Sequence, residues 1–387
     1  MINRDERSIN PAVYAAMEET SRVTRLTDWG ETEFLVPLSR LIESFIEQYR
    51  QDQKKGIQFQ STIKALLANR LFIQDTLKKH PEIEATLISR PIFVIGLART
   101  GSTLLHRLIS EDENCRILLY WEMLYPFTST HMGLNNPKTS IEIANMRLKE
   151  MYNSIPNLHH FHETGAELPE ECMMLLRHTF CSMSIVSEWQ LSDFGRWFIE
   201  QDLTPSYRYY KKLLQILMWH QPKQFMALKC PSHLINLNAI LNVFPDANFV
   251  WVHRHPNEAI PSFFSLLSAF WRNQISDSSF KDLVIEYSVQ SAETGMNMQE
   301  KIPGNQFINI SYKQLVKHPV DTVREIYTKF GYSFSSQLEE NIGKFVQESP
   351  QHKHGVHKYN LEKFGLDKAE IDTRFSKYMK EYETFFV

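Results

Sequence analysis

Two short segments concentrate the residue types that hold anions. The first, Pro91-Ile-Phe-Val-Ile-Gly96-Leu-Ala-Arg99-Thr100-Gly101-Ser102-Thr103-Leu-Leu-His-Arg-Leu, reads as strand, tight loop and helix. Small residues in such a loop let backbone N–H groups converge on phosphate oxygens, and the helix N-terminus adds its positive dipole end. Gly96 and Gly101 have Walker A spacing, but Ser102 stands where G-x-x-x-x-G-K-[ST] requires lysine. That weakens a nucleotide triphosphatase reading, and Arg99 inside the loop is placed to supply the cation instead. The second segment, Arg254-His-Pro-Asn-Glu-Ala-Ile-Pro-Ser262, follows the apolar run FVWVH. It sets an arginine at a strand's C-terminal end and a serine early in the next helix, at the edge where parallel α/β sheets bind ligands. The Arg254 fork and the Ser262 hydroxyl suit a terminal phosphate monoester.

A third set of residues can move protons or stabilise charge. FMALKCPSHL runs from an apolar stretch into a loop and contains Lys229 and His233. Histidine is the usual side chain for taking a proton from a hydroxyl near neutral pH, and a strand-end lysine can stabilise negative charge as it develops. Glu167, Glu170 and Glu171 in ELPEE compete as carboxylate bases. The local pattern favours another role for them, the acidic first turn of a helix ECMMLLRH begun by Pro169. His159, His160 and His162 cluster without a second ligand set at recognisable spacing, so no metal is expected.

These residues need elements to position them. From Asn10 to about Ile88 apolar residues recur at three- and four-residue steps, as in LVPLSRLIESFIEQYR and IKALLANRLFIQDTLKK, which predicts a helical region over residues 1–90. Four short apolar runs, Ile92–Ile95, Phe225–Leu228, Phe249–His253 and Phe307–Ile310, predict buried strands of a parallel sheet. The expected fold is therefore α/β: a P-loop-like parallel sheet flanked by helices over residues 91–387, with the helical N-terminal region packed on it as part of one unit. Residues 141–220 read as mostly helical around a loop or lid, LHHFHETGAELPEE. The basic stretch QHKHGVHKYNLEKFG reads as a loop lying over a site.

Composition narrows the partners. With 387 residues, of which 43% are hydrophobic, the chain can bury a substantial core. A formal charge of −3 lacks the basic excess of a nucleic-acid-binding surface. Cys115, Cys172, Cys181 and Cys230 form no CxxC pair, so reduced thiols and a cytoplasmic location are expected. No apolar leader and no membrane-spanning run is visible. The methionines and 12% aromatic residues point to a hydrophobic small-molecule partner. Met173, Met174, Phe180, Met183 and the run FFSLLSAFW are candidates to line its pocket or to belong to the core.

Taken together, PIFVIGLARTGSTLLHRL and FVWVHRHPNEAIPS resemble the two donor-binding elements of the sulfotransferases that use 3′-phosphoadenosine 5′-phosphosulfate (PAPS). The resemblance is to the branch whose loop reads P-R-T-G-T-T-L-L-H. It extends to TRLTDWGE, PEIEATLISRPIF, YWEMLYP and LKCPSHLINLNAILNVFPDA. It implies transfer of a sulfonate group from PAPS to an acceptor hydroxyl, without a metal. Arg99, Thr100, Gly101, Ser102 and Thr103 would hold the 5′-phosphosulfate, and Arg254 and Ser262 the 3′-phosphate. Tyr312 would contact the adenine, and Lys353 or Lys358 would close over the 3′-phosphate. It also implies His233 as general base, with Lys229 and Arg99 stabilising charge during transfer. Ala98 departs from the branch's usual proline and Ser102 from its usual threonine. Leu104 stands where the cytosolic small-molecule branch has a tryptophan that stacks on adenine. A P-loop kinase or nucleotide hydrolase, and an inactive protein retaining the PAPS fold, are the alternatives.

Overall fold

A computed structural model describes residues 9–127, 136–155, 163–271, 278–348 and 364–387. Its centre is a five-stranded, wholly parallel sheet in the order β2-β3-β1-β4-β5. The strands are β1 Ile92–Ile95, β2 Cys115–Arg116, β3 Phe225–Lys229, β4 Asn248–His253 and β5 Phe307–Ser311. Four of them coincide with the apolar runs read from the sequence. β2, only two residues long, was not foreseen, because so short a strand has no period to detect.

Both faces of the sheet are covered, as a parallel sheet requires. Residues of one parity, Phe93, Ile95, Phe249 and Trp251, join the larger core. Those of the other parity, Ile92, Val94, Val250 and Val252, join a second core with Leu105, Leu108 and Ile109. The last three belong to α4, Ser102–Ser110, which follows β1 directly. The N-terminal helices are α1 Pro11–Thr24, α2 Leu35–Tyr49 and α3 Gln53–Lys79. α1 starts where the Asn10 side chain accepts from Ala12 N at 2.9 Å with Pro11 in the first position. Apolar faces of these helices, including Val13, Leu41, Phe45 and Leu67, are continuous with the larger core.

Because β1 lies between β3 and β4, the C-terminal ends of these three strands converge. The loop after β1, Lys229 at the end of β3 and Arg254 just past β4 therefore share one edge of the sheet. Among the described residues no helix is long and apolar enough to cross a membrane. All four cysteines are buried free thiols.

Candidate active site

The loop after β1 is shaped by backbone that ordinary side chains resist. Gly96 has φ +150°, and a Cβ there would fall 2.7 Å from the Val252 carbonyl oxygen and 2.8 Å from Thr100 Oγ1. Arg99 adopts φ +70°, a left-handed conformation that costs a non-glycine residue about 1–3 kcal/mol and is typically kept at functional sites. Thr100, fully buried, donates its hydroxyl to Leu97 O at 2.8 Å and ties the loop closed. Gly101 follows at φ +94° as the N-cap of α4. From the sequence, the anion cradle is expected at the backbone N–H groups of this turn and of the first turn of α4, with Ser102 and Thr103.

Gly101 is also where the loop meets Tyr312. A Cβ on Gly101 would lie 2.7 Å from Tyr312 Cδ2. Gly101→Ala is expected to displace both the loop and Tyr312, weakening binding of adenosine 3′,5′-bisphosphate by about ten-fold or more, roughly 1.4 kcal/mol. Calorimetric titration of the variant measures it. Unchanged affinity would show that neither group touches the nucleotide.

The cationic residues are cross-linked. Arg99 Nε donates to Ser262 Oγ at 3.1 Å, and Arg254 Nη1 donates to Arg99 O at 3.0 Å. Arg254 lies over the Tyr312 ring at 4.5 Å and pairs with Glu258 at 3.0 Å. Arg99, Gly101, Ser102, Thr103, Arg254 and Tyr312 all line one cavity of about 720 Å³. Ser262 lies behind it, 1% exposed, steadying Arg99 from the helix Pro256–Phe270. Lys353 and Lys358, like His159, His160 and His162, lie outside the described residues.

At the end of β3, Lys229 is 1% exposed, and its Nζ donates to Thr103 Oγ1 at 3.2 Å and to Glu171 Oε1 at 2.5 Å. The local reading of Glu170 and Glu171 as the first turn of a helix begun by Pro169 is corrected here. The helix begins at Met173, and Pro169 sits instead in an antiparallel bridge with Leu119. Glu170 N donates to Leu118 O at 3.1 Å and Cys172 N to Lys229 O at 2.9 Å, which pins Glu171 against the sheet edge. Glu170 and Glu171 both line the cavity, and Glu170 Oε1 accepts from Glu171 N at 2.8 Å.

His233, like Thr100, Lys229 and Ser262, is a predicted residue that does not line the cavity. It lies in the 3-10 turn Pro231–Asn236, whose Pro231 and Ser232 line the cavity while the histidine turns inward and is fully buried. Its ring stands edge-on to Phe93, with centroids 5.0 Å apart. Nδ1 is hydrogen-bonded to the Tyr207 hydroxyl at 2.8 Å. Burial, and secondarily the Lys229 charge, push its pKa down to about 3. Its Nε2 is buried with no hydrogen-bond partner among the described residues.

The pocket-lining expectations divide. Met173, Met174, Met183, Phe263 and Phe270 do line the cavity, whereas Phe180 and Phe264 are core residues. Arg177, Glu188 and Tyr287 also line it, and sequence reasoning passed over them. The three- and four-residue spacing Glu170–Met173–Met174–Arg177 was the available signal for the first. A Mg²⁺-dependent nucleotide hydrolase would set a carboxylate at a neighbouring strand end, but β3 and β4 end in Lys229 and His253.

Comparison with known proteins agrees with this geometry. A model of the sulfotransferase family matches residues 91–336. The chain is 23% identical over 269 residues to the omega-hydroxy-beta-dihydromenaquinone-9 sulfotransferase Stf3 of Mycobacterium bovis, and equally to that of Mycobacterium tuberculosis. The match covers 64% of each chain, so the chain spans just under two thirds of those relatives' length. Among solved structures, sulfotransferase STF1 from Mycobacterium tuberculosis H37Rv superposes with a TM-score of 0.78 at 26% identity, covering 94% of this chain and 98% of that one. Sulfotransferase STF9 from Mycobacterium avium shares the fold, with a TM-score of 0.82, 23% identity and 96% of each chain covered. The glycine-shaped cradle at β1 thus lies inside a family match that takes in well over half of the sequence, and the chain belongs to the sulfotransferase family.

Proposed function

We propose that the protein transfers a sulfonate group from PAPS to the hydroxyl of a hydrophobic small molecule, with Glu171 as the base. The observation that carries this reading is the Thr103–Lys229–Glu171 chain. It joins the anion cradle to an acid–base group at a single point on the wall of a largely apolar cavity. Bound in the cradle, PAPS would supply the electrophilic sulfur and a bisphosphate leaving group. The residues present fit it. Gly96, Arg99 and Gly101 open the loop toward the 5′ end, and Arg254 and Tyr312, which line the same cavity, would take the 3′-phosphate and the adenine, with Ser262 bracing Arg99 from behind.

Lys229 faces Thr103 and Glu171 at once. Drawn toward an anion in the cradle, it would loosen its hold on Glu171 and free a carboxylate oxygen to accept the acceptor's proton. The same cation would stabilise negative charge developing on the leaving oxygen. The reading is tested by incubating the protein with PAPS and a panel of sterol, lipid, phenol and sugar alcohols. Release of adenosine 3′,5′-bisphosphate and the acceptor's gain of a sulfonate are followed by mass spectrometry. Acceptor-dependent release supports it, and release from none of them, at any protein concentration, contradicts it.

A further inference from the structure

The cavity that holds the chemistry has a second polar feature at a distance from it. Arg177 and Glu188 line its wall and pair with each other, Nη2 to Oε2 at 2.6 Å, with side chains 15% and 38% exposed. Arg177 Nη1 also donates to Ser184 Oγ at 3.4 Å, and Ser184 lines the cavity too. The surrounding wall is apolar, formed by Met173, Met174, Met183, Leu267, Phe270 and Trp271. Its far corner is fixed by the Trp271 indole N–H, which donates to Ser187 O at 2.8 Å.

The two polar features are set apart by secondary structure. The short helix Met173–Leu176 begins just after Glu171 and continues into the 3-10 turn at Arg177. Its Met173 and Met174 also line the cavity and fall between Glu171 and Arg177 in the chain. The four α-helical residues advance by about 6 Å. The opposite half of the pair, with Met183, Ser184 and Ser187, comes from one face of the helix Met183–Trp189. Along this lining segment Glu171 precedes the methionines and Arg177, paired with Glu188, follows them.

A half-buried ion pair gains little from Coulomb attraction alone, and partial removal from water costs it hydration. Facing an apolar cavity, it is a ready donor–acceptor couple for a neutral polar group that arrives with an apolar spacer. We infer that the acceptor is bifunctional: an apolar chain or ring system with the reacting hydroxyl at one end and a second neutral hydrogen-bonding group at the other, held by Arg177 and Glu188. Arg177 and Glu188 are then specificity-determining residues. This inference rests on the sulfonate-transfer reading above.

The test uses the full chain with PAPS and two matched series, n-alkanols from hexanol to dodecanol and the corresponding α,ω-diols. At one chain length the diol should have a kcat/KM about ten- to a hundred-fold above its monoalcohol, the factor expected of a hydrogen bond to a charged group. In the double variant Arg177→Met with Glu188→Leu, which removes both charges together, the diol should fall to the monoalcohol's kcat/KM. Calorimetric affinity for adenosine 3′,5′-bisphosphate checks that the variant is folded. Turnover of both series with equal kcat/KM at every length, or a diol preference that survives the double variant, overturns the inference and leaves the sulfonate-transfer reading intact. Turnover of neither series, together with no nucleotide binding, overturns both.

Discussion

Glu171→Gln is expected to lower turnover by about 10²–10⁴-fold, the range for loss of a positioned general base, while affinity for adenosine 3′,5′-bisphosphate stays within a few-fold of the parent. Glutamine keeps an acceptor oxygen within reach of Lys229 but cannot take the proton. Glu170→Gln should cost less, because one Glu170 oxygen is already engaged by the Glu171 N–H. His233 supplies the contrast. Its replacement by alanine leaves the Tyr207 hydroxyl without its 2.8 Å partner and opens a core cavity, a loss of about 2–4 kcal/mol. The fraction that folds should retain near-parental turnover. Denaturant titration and initial rates on the same samples separate the two effects. A His233→Ala variant that folds normally and has lost turnover, beside an active Glu171→Gln, would return the base assignment to histidine.

Acid should unfold this protein at milder pH than its carboxylates alone would require. His106, His233 and His253 have pKa values pushed down to about 3, and His178 to about 4, with burial the largest cause in every case. Each stays neutral in the folded state, where hydrogen bonds hold its ring, as between His253 and both Tyr378 and Asn309 at 2.9 Å. The unfolded chain binds protons on these rings below about pH 6.5. Their contribution is therefore complete above that pH and is lost as pH falls toward the folded values. Between pH 7 and pH 5 the loss is about 2 kcal/mol per histidine, so four together are comparable with the whole stability of an ordinary domain. Guanidinium unfolding at pH 7, 6 and 5 measures it. A midpoint that does not move over this range would show that the rings bind protons equally in the native and unfolded protein.

How far the sequence exposed the site depended on whether the signal was local. The cradle was legible because Gly96 and Gly101 are demanded by their own backbone angles, and the strand-to-helix context is contiguous. That Arg254 borders the cavity was legible because it too follows a single apolar run; that Ser262 lies behind it, against Arg99, was not. Glu171 was weighed but set aside. Its position depends on the Leu119–Pro169 bridge and on Cys172 N donating to Lys229 O, contacts between segments that are distant in the chain and that no periodicity announces. The burial of His233 was not legible for a related reason. The 3-10 turn Pro231–Asn236 sets Pro231 and Ser232 on the cavity and turns His233 and Leu234 into the core, and a spacing of four from Lys229 does not say which side the ring takes. The Arg177–Glu188 pair escaped because its partners belong to different helices.

The central claim, that the cradle and Arg254 together form a site for a 3′-phosphorylated adenosine nucleotide, is tested most directly by calorimetry with three ligands. Adenosine 3′,5′-bisphosphate should bind far more tightly than adenosine 5′-phosphate. Arg254→Ala should remove most of that preference, about 1.5–3 kcal/mol for a charge-assisted phosphate contact. ATP with Mg²⁺ should bind no better than adenosine 5′-phosphate. Equal affinity for the two adenosine phosphates, or tightest binding of ATP with Mg²⁺, would contradict the account.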